Sequence, residues 1–150
     1  MEDIVIISNL EVIGLYGNYN YSVNFNKDIT LLYGTNGCGK TTILNIITSI
    51  ITGSIYKLFS YKFESIILTY IDEKEDNGTN QIVLLRNDED EIEISFRSNT
   101  SLIKKLQIPE DRRRRIDFYD EIYFEEYLVL KRIRKEFNFV YLALNRAAAL

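Results

Sequence analysis

The stretch from Gly34 to Thr42, which reads GTNGCGKTT, constrains this chain more than any other part of it. It fits the pattern G-x-x-x-x-G-K-[ST], a glycine-rich loop that binds phosphate groups, and we call it the P-loop. The run before it, residues 29–33, is apolar and β-branched and predicts a buried strand. Apolar residues at helical spacing follow Lys40 and predict a helix with Gly53 as its C-cap. The order of strand, glycine loop and helix is the one that this motif requires.

The chemistry of a bound triphosphate accounts for the residue types in the P-loop. Glycine lets the backbone approach the phosphates closely, and successive N–H groups then form an anion-binding nest beside the positive end of a helix. We expect Lys40 to reach the β- and γ-phosphates, Thr41 to ligate Mg²⁺ and Thr42 to bond the α-phosphate. The predicted nucleotide-binding residues of the loop are Gly34, Asn36, Gly37, Cys38, Gly39, Lys40, Thr41 and Thr42.

Composition limits the cellular compartment and the kinds of partner that we expect for this chain. Cys38 is the only cysteine, so no internal disulfide can form, and with no histidine to act as its base we interpret it as a small filler residue. An unpaired thiol and a nucleotide site together predict a cytoplasmic protein. The net charge of −4 argues against a polycationic nucleic-acid binder. No apolar run approaches the roughly 20 residues of a membrane helix.

The residues around the P-loop resemble a known family. Residues 29–47, ITLLYGTNGCGKTTILNII, are similar to the ABC-type ATPases of the structural-maintenance (SMC) and RecF kind, whose loop runs G-x-N-G-x-G-K-[ST]-T. The pair Asn36-Gly37 favours this branch over Ras-like GTPases. Residues 6–28 resemble the two antiparallel strands that precede the loop there, and the chain also resembles stand-alone bacterial ATPases of anti-phage systems, the Septu-type and retron-associated ones.

This resemblance implies an α/β fold of the P-loop NTPase class, an N-terminal lobe in which an antiparallel sheet flanks a parallel core. It implies Mg²⁺ and ATP as ligands, a homodimer formed through the ATPase site, and a conformational switch on ATP binding or hydrolysis. A nuclease effector in anti-phage defence is the partner that it suggests. Two alternatives stay open, which are a nucleotide-sensing module that does not hydrolyse ATP and an ATPase of DNA repair or chromosome maintenance.

The tyrosines of the turn-rich stretch before the P-loop have two possible roles. In the families resembled, residues here lie near the adenine base, so Tyr16 or Tyr19 could stack on it. The alternative is that both rings only cover the edge of the sheet. Tyr19 is the stronger candidate for the nucleotide site.

Alternating patterns predict the other strands. We expect strands at residues 3–10 and 21–25, and antiparallel strands within 64–97 separated by turns at Asn77-Gly78 and at 87–90. Residues 67–73, ILTYIDE, look like a Walker B strand, in which an Asp holds Mg²⁺ and a Glu activates water. We interpret them as an ordinary antiparallel strand, because a hairpin-like loop follows and Walker B comes much later in the families resembled.

The last third of the chain carries weaker signals. Residues 101–137 are predicted to be helical, with Pro109 dividing a short segment from a longer one that Asp117 caps. The four arginines Arg112, Arg113, Arg114 and Arg115 could contact nucleic acid, but a solvated charge run is the favoured interpretation. Residues 139–144 predict a final strand, with Arg146 beyond its end as a weak site candidate. Since neither a signature sequence nor a credible Walker B is found, we expect residues 1–150 to be a single, incomplete ATPase domain.

Overall fold

The computed structural model describes residues 5–35, 39–52, 54–72, 78–98 and 101–109. A sheet of six strands dominates this part of the chain, with the order β2-β1-β3-β4-β5-β6. Every neighbouring pair in it is antiparallel. The strands are β1 (Val5–Leu15), β2 (Tyr19–Asn24), β3 (Ser65–Asp72), β4 (Thr79–Arg86), β5 (Glu91–Ser98) and β6 (Ser101–Pro109).

Two helical segments lie between β2 and β3 in the sequence. Helix α1 spans Lys40–Ile51, and a 3₁₀-helix spans Ile55–Ser60. The α1 sequence KTTILNIITSII is rich in β-branched residues, which lose side-chain freedom in a helix, so burial must supply the stability that propensity does not. Its buried face enters a core with the 3₁₀-helix and the alternate residues of the sheet, including Leu10, Ile66, Leu68, Ile82, Leu84, Ile92 and Ile94.

The structure confirms several sequence predictions with small shifts of boundary. The antiparallel strands predicted within 64–97 are β3, β4 and β5, and the helix after the P-loop is present. β1 runs on to Leu15, five residues beyond the predicted end, and its hairpin partner β2 begins at Tyr19 rather than Tyr21. α1 ends on the C-cap Thr52, and Gly53 lies outside the described residues.

The prediction of a buried strand at residues 29–33 was wrong. No strand is assigned there, and the side chains of Ile29, Leu31 and Tyr33 are 72%, 80% and 93% exposed. Only Leu32 of the run packs against the core, as a half-buried residue. An apolar run becomes a buried strand only where another strand pairs with it, and no strand of the described part of the chain does so.

The prediction of a short helix within 101–107 was also wrong, because this stretch is β6. Leu102, Ile103 and Leu106 recur at helical spacing, but the free edge of β5 offers a ladder of backbone partners, with one irregularity between Phe96 and Arg97. The register sets Leu106 opposite Ile94 and Ile108 opposite Ile92. Tertiary pairing overrides a weak local preference here, as is common for strands.

The remaining C-terminal predictions lie outside the described residues. They are the helix from Asp117, the arginines 112–115, the strand 139–144 and Arg146. Within the part of the chain that the structure describes, no helix has the length and apolarity needed to cross a membrane.

Candidate functional site

Within the P-loop, the residue that directly precedes helix α1 has a left-handed conformation. Gly39 is the N-cap, with φ of 96° and ψ of 7°, a conformation that costs other residues energy but suits glycine. Its carbonyl accepts the Ile43 N–H at 2.9 Å, which is the first hydrogen bond of the helix. The glycine before the lysine is therefore required by backbone geometry.

The amino end of α1 carries positive charge that its own residues do not offset. The first backbone N–H groups of a helix have no partner within it, and the cap residue Gly39 has no side chain to supply one. The first turn holds no acidic residue. The N–H groups and the helix dipole are thus available to a bound anion.

The side chain of Lys40 links the end of the glycine-rich stretch to its first residue, Gly34. Its half-buried side chain folds back, and the Nζ donates a hydrogen bond to the carbonyl oxygen of Gly34. An ammonium group has three donors, so this bond leaves capacity for a phosphate oxygen. The first and last parts of the motif therefore lie close together, with a cation between them. Asn36, Gly37 and Cys38 lie outside the described residues.

Thr41 and Thr42 occupy the first turn of α1. Both residues therefore stand at the positive end of the helix. Thr41 is exposed and Thr42 is half-buried. Mg²⁺ prefers oxygen ligands and is commonly held by few protein groups together with phosphates, which a single hydroxyl at this place fits. No cluster of three or more His, Cys, Asp or Glu that could hold a metal ion exists among the described residues.

Tyr21 of β2 lies directly against the P-loop. A Cβ atom placed on Gly39 would stand 2.8 Å from the Tyr21 Oη and 3.1 Å from its Cζ. The ring is half-buried and packs against the core. The sequence analysis treated Tyr21 only as a strand residue, because alternation gives the face on which a side chain lies but not which loop covers it.

Tyr19 contacts Tyr21, which in turn lies against Gly39 of the P-loop. The two rings stack with centroids 6.4 Å apart and planes inclined by 30°, and Tyr19 remains 56% exposed. Tyr16, the other candidate, sits at the hairpin tip with a positive φ of 55°. Of the two predicted rings, Tyr19 is the one that stacks on the ring next to Gly39.

The strand that looks like Walker B is an interior strand of the antiparallel sheet. β3 pairs with β1 along one edge and with β4 along the other. This confirms the interpretation of the stretch as an antiparallel strand. Glu73, the residue that would activate water, lies outside the described residues.

Comparison with known proteins adds one match. A family profile described as AAA domain matches residues 9–147, nearly the whole chain. A search of curated proteins gave no match.

Proposed function

Because this chain belongs to the AAA domain family of nucleotide-binding ATPases, we propose that its P-loop binds Mg²⁺–ATP with the base against Tyr19. The geometry of Lys40 carries this proposal. The lysine begins α1, directly after the left-handed Gly39, and reaches back to the Gly34 carbonyl. A cation, a row of helix N–H groups and a close backbone approach thus converge on one small volume, as phosphate binding requires.

Each residue has a distinct part in binding. The amino end of α1 meets the phosphates, and Lys40 exchanges its bond to Gly34 for a phosphate oxygen or shares the two. The Thr41 hydroxyl ligates Mg²⁺, which neutralises phosphate charge when bound. Thr42 bonds the α-phosphate, and Tyr19 supplies an aromatic face for the base. We propose that the backbone N–H groups of Asn36, Gly37 and Cys38 also bind the phosphates.

A lysine comparison tests this binding site. Lys40→Ala should weaken Mg²⁺–ATP binding at least tenfold, because charge-assisted contacts to phosphate are worth about 1.5–3 kcal/mol. Lys57→Ala, on the exposed side of the 3₁₀-helix, is the matched control and should leave affinity unchanged. Titration calorimetry measures both. Equal ATP affinity in the wild type and Lys40→Ala would refute the P-loop assignment.

We extend the proposal to a switch that works by dimerisation, as the resemblance to ABC-type ATPases suggests. Two protomers would enclose ATP between them, so that assembly depends on nucleotide. Analytical ultracentrifugation with and without Mg²⁺–ATP checks this, with Lys40→Ala as the variant that should stay monomeric. A monomer at every ATP concentration would leave a nucleotide sensor as the better description.

The nuclease partner and the anti-phage role belong to the same extension, and they rest on the resemblance. If they hold, cells that carry the native gene with its neighbours should resist phage, and Lys40→Ala should abolish resistance. Resistance that persists in the Lys40→Ala strain would separate the chain's ATP site from defence.

The parallel core of the P-loop NTPase fold is proposed as well, on the resemblance and the family match. Residues 29–33 are not assigned to it, because they form no strand in the structure. A crystal structure of the protein with Mg²⁺–ATP tests this proposal, and a nucleotide site with no parallel strand beside it would exclude the core.

A further inference from the structure

Tyr21 and Gly39 restrict one another. The space beside the Gly39 Cα, where any other residue would carry a Cβ, is taken by the Tyr21 Oη at 2.8 Å, Cζ at 3.1 Å and Cε1 at 3.4 Å. The first two approaches are shorter than ordinary contacts, so no side chain fits at position 39 while the ring stays in place. The ring and the end of the P-loop are in direct contact.

The Tyr21 ring is itself held in place from two sides. It packs against the hydrophobic core and stacks on Tyr19. Its backbone is fixed by pairing with Val12 of β1. These contacts limit the movement of the ring that Gly39 faces.

A neighbouring ring that limits backbone movement matters more for a glycine than for other residues. Without a Cβ, Gly39 has wide conformational freedom, and the peptide that leads into α1 would sample many orientations. Ordering that peptide on binding would cost entropy and weaken the ligand's hold. A ring that removes the alternatives in advance preorganises the peptide that leads into α1.

We propose that Tyr21 is a positioning residue that holds Gly39 and the amino end of α1 in the orientation that binds phosphate. The inference rests on the proposed binding of Mg²⁺–ATP and names a residue outside the P-loop motif as part of that site. Tyr21 acts on the phosphate end of the ligand, whereas Tyr19 acts on the base.

Two probes separate these roles, namely Mg²⁺–ATP and inorganic tripolyphosphate with Mg²⁺, which has no base. Tyr21→Ala should weaken both by a similar factor of about ten, within the range for residues in contact. Tyr19→Ala should weaken ATP by about fivefold more than it weakens tripolyphosphate, because only a base can stack on Tyr19, whereas both probes depend on its support of the Tyr21 ring. Tyr21→Phe keeps the ring carbons beside Gly39 and should recover most of the affinity.

Val23→Ala controls for loss of packing. Val23 lies on the same face of β2 and is also a half-buried residue against the core. It should lower thermal stability without changing tripolyphosphate affinity. The proposal is overturned if Tyr21→Ala leaves tripolyphosphate affinity unchanged, or if Val23→Ala weakens it as much as Tyr21→Ala does.

A double-mutant cycle tests the contact itself, with ATP as the only ligand. Gly39→Ala meets both the positive φ and the Tyr21 ring, and Tyr21→Ala removes only the second obstacle. The loss of ATP affinity caused by Gly39→Ala should therefore be smaller, by about threefold or more, in the Tyr21→Ala protein than in the wild type. Fully additive losses would show that Tyr21 does not act through Gly39.

The Lys40→Ala variant distinguishes a failure of the Tyr21 proposal from a failure of the proposed Mg²⁺–ATP binding. If Lys40→Ala lowers affinity for both probes and Tyr21→Ala lowers neither, the ATP site stands and the role of Tyr21 fails. If Lys40→Ala changes neither, the proposed function itself fails.

Discussion

The guanidinium of Arg86 lies over the ring of Phe63, with its Cζ 5.7 Å from the ring centroid. The same group stands 5.5 Å from the ring centroid of Phe59. It donates to the carbonyl of Tyr61, and to that of Phe59 at 3.4 Å. Arg86 thereby ties the end of β4 to the 3₁₀-helix and the segment that follows it, with two rings and two carbonyls sharing one cation.

Replacing this arginine should therefore destabilise the fold. Arg86→Lys keeps the charge but loses the planar fork that reaches both carbonyls, at a cost of about 1–3 kcal/mol in the free energy of unfolding. Arg97→Lys, on an exposed position of β5, should change it by less than about 0.5 kcal/mol. Urea denaturation measures both variants. Equal stability of the two would mean that the guanidinium contacts contribute little.

The ion pair of Arg86 with Asp90 should matter much less. The oxygen of Asp90 lies 3.7 Å from the guanidinium, but its side chain is 67% exposed. Solvent screens such a pair, so Asp90→Asn should cost at most about 1 kcal/mol. Asparagine also accepts the positive φ of 55° at this position, which keeps backbone strain out of the comparison. A larger loss in urea denaturation would show that the carboxylate orients the arginine.

Two glycines of the first hairpin should respond differently to alanine. Gly14 and Gly17 both have positive φ, of 71° and 84°, but a Cβ on Gly14 would stand 2.6 Å from the Glu64 Cγ, whereas one on Gly17 meets nothing. Gly17→Ala should cost about 1–2 kcal/mol for the backbone alone, and Gly14→Ala should cost more. Glu64→Ala combined with Gly14→Ala should bring the loss back towards that of Gly17→Ala. Thermal denaturation of all three variants checks the order.

Shortening the side chain of Ile46 should remove core packing that stabilises helix α1. Ile46 is fully buried in the core, while Leu44 on the same helix is 42% exposed. Ile46→Ala should cost about 2–5 kcal/mol, and Leu44→Ala well under half of that. Because α1 presents the amino end of the proposed phosphate site, ATP affinity should also fall near the melting temperature of the Ile46→Ala variant. Comparable stability of both variants would contradict the packing described for this helix.

ATP turnover by residues 1–150 should be negligible and should not depend on the end of β3. This strand lies inside an antiparallel sheet, and we expect no residue of it to orient a water molecule for attack. Asp72→Asn and Glu73→Gln should leave phosphate release unchanged within error. Robust turnover that either change abolishes would identify the strand as a true Walker B and contradict our interpretation.

Local signals were sufficient for part of this fold. The P-loop motif predicts α1 in spite of its β-branched composition, because the required helix follows Lys40 directly. The alternation of Ile92, Ile94 and Phe96 with polar residues predicts β5 on its own. In these cases, the motif or the period of one segment is enough to determine its structure.

Other elements depend on neighbours that no local pattern reveals. Leu102, Ile103 and Leu106 look helical, and only the free edge of β5 makes them a strand. Leu31 and Tyr33 look like core residues, and only the lack of a pairing strand in the described part of the chain leaves them exposed. The contact of Tyr21 with Gly39 joins two segments whose closeness in space follows from tertiary packing alone.

The strand order also implies a sequence of events in folding. β3 to β6 follow one another along the chain and in the sheet, so each pairing closes only a short loop, whereas β1 must find β3 across the whole P-loop segment. Short loops close at a lower entropic cost, and we expect the β3–β6 meander to form first. The nucleotide site is then assembled in the late steps, when β1 and α1 dock. ATP should therefore act mainly by slowing the unfolding rate, with little effect on the rate at which the chain folds.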